Sequence, residues 1–231
     1  FQTKLEISLD QIRQAIAAGI PKGTELADPA YGNDTAFRQA LADMGLHYVV
    51  GVQSTTTVWP PGIEPLPAPK YSGRGQPPRR LRRDADHAPQ SAKRLALALP
   101  TKAWKTVTWR EGTRAPLRSR FAAVRVRAAH RDYKLSVPHP EQWLLMEWPR
   151  GEDAPSKYWM SNLADTTRLR DLVALGKQRW IIERDYQELK QELGLGHFEG
   201  RGWRGFHHHA ILCIAAYGFL VAERGLFSPS V

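Results

Sequence analysis

Residues 47–53 constrain the fold most, because they read HYVVGVQ and are apolar along nearly their whole length. A continuous apolar strand is typical of a parallel sheet covered on both faces. A second strand is predicted over residues 24–28, where Pro29 holds Asp28 in extended geometry. Two such strands with helical segments between them predict an α/β fold.

Helical spacing flanks both predicted strands. Ser8 and Gln11 have the spacing of a capping box, and the helix they begin is expected to end at Gly19. Asn33 or Asp34 is predicted to cap a second helix that closes at Gly45. Helix, strand, helix and strand therefore fill residues 1–53.

The character of the chain changes after residue 53. Residues 54–95 are rich in proline, glycine and arginine and show no regular pattern, so they are expected to be loop-rich or disordered. Short strand candidates that predict an antiparallel module follow at residues 104–109, 121–128, 143–148 and 157–162. A long helix is predicted over residues 168–193, and a last helix over residues 206–224.

The positive charge is concentrated in the middle of the chain. The formal net charge is +10, but residues 70–134 carry 18 Lys and Arg against four acids, so the remainder sums to −4. This concentration favours a polyanionic partner, nucleic acid first. Its densest part supplies candidate DNA contacts at Arg79, Arg80, Arg82 and Arg83. A flexible linker with a solvated basic face is the alternative reading of the same stretch.

Cys213 is the sole cysteine, so an internal disulfide is excluded and a reducing compartment fits best. It lies in an apolar run over residues 210–222, which is short for a membrane span and predicts a buried helix. No secretory signal pattern begins the chain, and a cytoplasmic protein without a membrane partner is expected. Because the chain starts at Phe1 and enters directly into regular structure, we expect it to be the latter part of a longer protein.

The segment RWIIERDYQELK carries the strongest pattern for function. Arg179, Glu183, Tyr186 and Lys190 are spaced so that they share one narrow face of a helix. One carboxylate between two cations suits a metal-binding acid whose neighbours hold phosphate oxygens. A surface helix with ordinary ion pairs is the alternative.

Two blocks carry a family resemblance: GTELADPAYGNDTAFRQALADMGLHYVVGV and RWIIERDYQELKQELGLGHFEGRGWRGFHHHA. Together they resemble the DDE transposases of bacterial insertion sequences, in the class with a β-strand insertion before the final Glu. The resemblance implies an RNase H-like core, with its early strands missing here, and makes Asp28 and Glu183 the second and third catalytic acids. The family signature Tyr-(2)-Arg-(3)-Glu-(6)-Lys is matched by Arg179, Glu183 and Lys190, and the resemblance gives Arg179 and Lys190 phosphate-binding roles.

The same resemblance implies the cofactor and the partners. It implies Mg²⁺ or Mn²⁺ held by Asp28 and Glu183, and double-stranded DNA, both transposon ends and target, as substrate. It also allows a homodimer in the DNA complex and a nucleoid-associated location. The expected organisation is a partial core at residues 1–53, a basic insertion at residues 54–165, and helices completing the core at residues 166–231.

Two departures from the family pattern leave alternatives open. Gly176 stands where the signature has Tyr, and a glycine within a helix is expected to mark close packing. No acid suited to be the first of the triad precedes Asp28, since Asp10 falls in a predicted helix. We therefore expect this chain alone to be inactive, and a DNA-binding remnant of a transposase is the alternative to an enzyme fragment. An RNase H-like nuclease unrelated to transposition is a third reading.

The last helix begins with further candidate residues. Trp203 and Arg204 are candidate DNA contacts, and His207, His208 and His209 follow them. Three consecutive residues on a helix point in different directions and do not converge on one metal ion. A structural or DNA-facing role is expected for these histidines.

Overall fold

The computed structural model describes residues 1–110 and 115–226, so Glu111 and Arg114 of the basic segment lie outside the described residues. The chain divides into two compact units, Phe1–Lys177 and Gln178–Val231. The first unit contains the sheet and the second contains two helices. Each unit is described by itself below.

One mixed sheet of eight strands organises the described part of the first unit. The strands are β1 Thr24–Ala27, β2 His47–Val52, β3 Thr57–Trp59, β4 Gln90–Ser91, β5 Lys105–Arg110, β6 Leu117–Ala128, β7 Glu141–Trp148 and β8 Lys157–Ser161. The α-helices of the two units are α1 Lys4–Ala17, α2 Pro29–Gly32, α3 Thr35–Asp43, α4 Ala92–Ala98, α5 Leu169–Lys177, α6 Trp180–Gln191 and α7 Trp203–Leu226.

The strand order is β1-β2-β8-β7-β6-β3-β4. Strand β3 pairs with the C-terminal end of β6, and β5 pairs with the N-terminal part of β6. Only β1 and β2 are parallel among the described strand pairs, with Leu26 opposite Val49. Strand β2 pairs antiparallel with β8, with Val50 opposite Met160. The predicted α/β fold is confirmed, and its antiparallel strands continue the same sheet as β1 and β2.

Local sequence explains most of the N-terminal elements. Thr3 and Glu6 form the capping box of α1, because the hydroxyl of Thr3 accepts from the amide of Glu6 and the carboxylate of Glu6 accepts from the amide of Thr3. The predicted box at Ser8 is therefore wrong, since Ser8 lies inside the helix. Asp34 caps α3 through the amide of Phe37, as one of the two predicted caps.

The loop-rich reading of residues 54–95 needs a correction, because β3 and β4 lie within it and join the sheet. An isolated bridge between Leu66 and Arg82 also ties the ends of its arginine-rich loop together. Strands this short show no periodic pattern in the sequence, so the composition of the segment did not predict them.

The two faces of the sheet carry two hydrophobic clusters. Helices α1, α3 and α4 cover the larger cluster, whose centre includes Val50, Leu144 and Met160. Helix α5 covers the smaller cluster through Leu172 and Val173. Strand β2 is buried from Tyr48 to Val52, in agreement with its continuous apolar sequence.

A buried ion pair joins the end of α5 to β7. The ammonium of Lys177 lies 2.6 Å from a carboxylate oxygen of Glu147, and the two side chains are 11% and 5% exposed. The rings of Trp109, Phe121 and Trp159 surround the ammonium, the nearest centroid at 4.5 Å. Burial lowers the pKa of Lys177, although the carboxylate of Glu147 acts in the opposite direction.

In the region of the predicted long helix the chain forms two helices, so the single-helix prediction is wrong. Gln178 and Arg179 form a turn between α5 and α6, in which the amide of Ile181 donates to the carbonyl of Gln178 at 2.8 Å. This contact spans three residues, so it belongs to a 3₁₀-type turn and interrupts the α-helical pattern.

Helix α7 differs from the prediction of a buried helix. Cys213 is buried, as predicted, and its thiol contacts the carbonyl of Leu193. Most of the apolar run is exposed, with Ile211 at 62% and Phe219 at 64%. In the described part of the chain α7 alone is long and apolar enough to cross a membrane, a criterion that core helices of soluble proteins also meet.

Candidate functional site

Asp28 lies where β1 turns into α2, the carboxyl end of a parallel strand. Its side chain is half-buried and caps α2, because one carboxylate oxygen accepts from the amide of Ala30 at 2.9 Å. The other oxygen has no hydrogen-bond or ion-pair partner among the described residues. Polar groups in α/β sheets commonly act from this edge.

Two glycines bring α2 directly onto β2 and so fix the turn that carries Asp28. A Cβ atom on Gly32 would lie 2.0 Å from the carbonyl oxygen of Gly51. A Cβ atom on Gly51 would lie 2.9 Å from Cδ of Pro29. Only glycine permits this approach of two backbones.

Arg38 is a buried charged residue that sequence reasoning missed. It is 2% exposed, and its guanidinium donates to the carbonyl of Gly32 and, at 3.2 Å, to the hydroxyl of Thr35. Burial lowers the pKa of Arg38 and raises the pKa of Tyr48, its hydrogen-bond partner, to about 12. Arg38 thus holds the end of α2 in place. Its position beside Phe37 on the inner face of α3 was the available indication.

We expect Gly32→Ala to destabilise the protein and displace the turn at Asp28. The added methyl group overlaps a backbone oxygen, so α2 must move away from β2, at a cost of about 2 kcal/mol. Thermal denaturation should show a fall in Tm of about 4–8 °C. Gly23→Ala is the matched control, because a Cβ atom there meets nothing within 4 Å. Equal melting temperatures for the two variants would contradict this account.

The second unit presents the charged face of α6. Arg179 precedes α6 in helical conformation, and its guanidinium lies 2.8 Å from a carboxylate oxygen of Glu183. The ammonium of Lys190 lies 5.5 Å from the ring centre of Tyr186. The side chain of Glu183 is 65% exposed, and its second oxygen has no partner among the residues that the structure describes. The predicted shared face is present within this unit.

Gly176 is buried where α5 packs on the sheet, as expected for close packing. A Cβ atom there would lie 3.3 Å from Leu145, 3.6 Å from Val49 and 3.7 Å from Trp159. The tyrosine of the family signature would displace these side chains.

The four arginines of the Pro-rich segment differ in their surroundings. The guanidinium of Arg83 pairs with the buried carboxylate of Asp132, which also accepts from the indole of Trp59. Arg82 donates to the carbonyl of Pro67 at 3.3 Å. Arg79 and Arg80 are exposed and line a cavity of about 620 Å³.

The first turns of α7 hold the remaining candidates. Trp203 is 76% exposed, and the centre of its ring lies 4.2 Å from the centre of the His207 ring. Arg204 is also exposed. His209 contacts the carbonyl of Gly194 at 2.9 Å. His207 and His209 thus contact different neighbours within the second unit.

The comparison with protein families shows the family to which the chain belongs. Residues 1–116, half of the chain, match the family described as DDE superfamily endonuclease. This chain belongs to the DDE endonuclease superfamily. The matched region contains Asp28 and the strand pair that positions it. A comparison with curated proteins gave no match.

DDE enzymes act on DNA and typically use divalent metal ions. Asp28 and Glu183 each offer a carboxylate oxygen that has no partner among the described residues, and carboxylate oxygen is the hard ligand type that Mg²⁺ and Mn²⁺ prefer. Within residues 1–110 and 115–226, no group of three or more His, Cys, Asp or Glu side chains forms a metal cluster. Each of the two acids, taken within its own unit, fits such an ion in the type of donor it offers.

Proposed function

We propose that this DDE-family chain belongs to a DNA transposase that cleaves and joins the DNA ends of an insertion sequence. The observation that carries the proposal is the family match, which includes Asp28 at the end of β1. The charged face of α6 supports the same function, because it supplies the acid and the cations that such a site needs. A location in the cytoplasm, associated with the nucleoid, follows from this function.

We assign distinct roles to the site residues. Asp28 and Glu183 would hold Mg²⁺ or Mn²⁺, and the bound ion would supply activation of the attacking oxygen and stabilisation of the leaving oxygen of a phosphodiester. Arg179 holds Glu183 in place and, together with Lys190, contacts phosphates near the scissile bond. Trp203, Arg204, Arg79, Arg80 and Arg82 are further proposed contacts to double-stranded DNA. Arg83 contributes less, because it is paired with Asp132.

The proposed organisation has a partial RNase H-like core at residues 1–53, a DNA-binding insertion at residues 54–165, and helices at residues 166–231. Two copies of the protein, one for each transposon end, would act together in the DNA complex.

The test uses the protein expressed from the complete reading frame that encodes this chain, with DNA carrying the element's ends and a target plasmid. We expect strand cleavage and joining of the cut ends to target DNA with Mg²⁺ or Mn²⁺, and neither reaction in EDTA. Cleavage that persists in EDTA would contradict the metal assignment. Cleavage without any joining would identify a simple nuclease instead of a transposase.

A DNA-binding remnant without catalysis is the second candidate. It is supported by the absence of a three-ligand cluster in the described part of the chain. In that case the same protein would bind DNA, and no divalent cation would produce cleavage.

A further inference from the structure

A small basic cavity lies beside the β5–β6 hairpin, outside the residues assigned above. Its volume is about 350 Å³, and its lining residues are Thr106, Arg118, Ser119, Arg120, Arg150 and Gly151. Three of these six residues are arginines and none is acidic. We call this cavity the arginine pocket.

Strand register places two of the arginines on one face of the sheet. Arg118 and Arg120 are two residues apart on β6, so their side chains leave the same face. Their partners on β5 are Thr108 and Thr106, and on the other side Arg120 lies opposite Trp148 of β7. The threonine at position 106 adds a hydroxyl to the pocket wall.

Trp148 contacts two residues of the pocket wall, Arg120 and Ser119. The guanidinium of Arg120 stacks over the ring of Trp148, 4.3 Å from the ring centre. The indole nitrogen of Trp148 donates to the carbonyl of Glu152 at 2.8 Å. The hydroxyl of Ser119 donates to the backbone carbonyl of Trp148 at 3.1 Å. Trp148 therefore fixes Arg120 and also ties down the turn that carries Arg150.

The arginines of the pocket have no carboxylate partner in the part of the chain that the structure describes. Arg118, Arg120 and Arg150 form no ion pair with a carboxylate of residues 1–110 or 115–226. By contrast, Arg125 and Arg127 farther along β6 donate to backbone carbonyls, and Arg127 also lies near two glutamates. Three guanidiniums around one concavity, without a carboxylate partner among the described residues, repel each other, and an anion that enters the pocket relieves this repulsion.

We propose that the arginine pocket binds a phosphate of the DNA backbone and anchors DNA on the inserted strands. Guanidinium groups donate paired hydrogen bonds that match phosphate oxygens, and Thr106 adds a further donor. The inference rests on the proposed function, because DNA is the source of the phosphate to which it commits. Free inorganic phosphate has the same chemistry and is the competing source.

The main experiment measures binding of a fluorescent duplex to the complete chain in EDTA, over a range of salt concentrations. The variant Arg118→Gln/Arg150→Gln removes two charges and keeps the stack of Arg120 on Trp148. Loss of one phosphate contact should reduce the slope of log K against log salt by about 1. Arg13→Gln/Arg170→Gln is the control, because it removes the same charge from the exposed surfaces of α1 and α5.

A smaller slope for the pocket variant than for the control supports the proposal, and equal slopes for the two variants overturn it. Arg150→Gln alone, in an exposed turn, provides the same comparison if the double variant does not fold. Calorimetry with inorganic phosphate distinguishes the source: phosphate binding that is lost in the variant, with DNA binding unchanged, overturns the DNA assignment. Failure of the unaltered chain to bind DNA would count against the proposed function itself, whereas DNA binding that is insensitive to the pocket would count against the pocket alone.

Discussion

Glu183→Gln is expected to reduce DNA cleavage by the protein from the complete reading frame by at least about 1,000-fold. The substitution keeps the size of the side chain and removes the negative charge that we propose holds a divalent cation. A factor of 1,000 corresponds to about 4 kcal/mol of lost transition-state stabilisation, which is within the range of one metal-ligand role. The rate of strand cleavage in Mg²⁺ is the measurement.

The fold should be unaffected by this change. Glu183 and Arg179 are 65% and 45% exposed, and an exposed ion pair contributes only about 0–1 kcal/mol to stability. Duplex binding in EDTA should therefore match that of the unaltered protein. A loss of cleavage with binding preserved would separate catalysis from DNA recognition.

Glu192→Gln is the matched control on the same helix. Glu192 directly follows α6 as its C-cap residue, in helical conformation, and lies nine residues after Glu183, which places it on the opposite side of the helix at about 100° per residue. Glu192 is exposed, and its replacement by Gln removes the same single negative charge as Glu183→Gln. Equal cleavage rates for the two variants would contradict the assignment of Glu183.

The second large effect is expected on stability, from the pair formed by Glu147 and Lys177. Glu147→Gln leaves a buried ammonium without its counter-ion, and breaking a buried pair in this way costs about 3–5 kcal/mol. Chemical denaturation should show this loss in the free energy of unfolding. Asp10→Asn, which breaks the exposed pair with Arg13, is the control and should cost less than about 1 kcal/mol.

A double-mutant cycle with Lys177→Met separates the pair from its neighbours. The double variant should be more stable than the sum of the single losses predicts, because it removes both buried charges together. Additive losses would show that packing around Trp109 and Phe121, and not the ion pair, carries the effect.

The same pair should give a specific pH dependence. The pKa of Lys177 is lowered in the folded protein, so the unfolded chain binds more protons and stability rises as the pH approaches the usual lysine value from below. Without Glu147, the pKa of Lys177 should fall further, since Glu147 is one of the groups that raise it. The cost of Glu147→Gln should therefore be smaller at pH 10 than at pH 7.

Local sequence was sufficient for several elements of the candidate site. The apolar run of β2, the capping residue Asp34 and the acid at the end of β1 were all predicted, because caps and side-chain periodicity act over a few residues. The shared face of Arg179 and Glu183 was predicted for the same reason, since helical spacing fixes it within two turns.

Other features depend on partners that are distant in sequence. Arg38 reads as an ordinary charged residue, yet it is buried against the backbone of α2. The proline-rich composition of residues 54–95 gave no indication of β3 and β4, whose pairing is with strands elsewhere in the sheet. The turn at Gln178 broke a helix whose periodicity continues across it.

By itself, the sequence determined an α/β chain with an acid at a strand end, a basic middle segment and a helix face suited to phosphate and metal chemistry. Only the tertiary structure decided that the inserted strands continue the sheet from β2, that Gly32 and Gly51 bring α2 onto that strand, and that Arg118, Arg120 and Arg150 surround one cavity. The physical reason is range: propensity and capping act between neighbours, whereas strand register and close backbone packing join residues far apart in the chain.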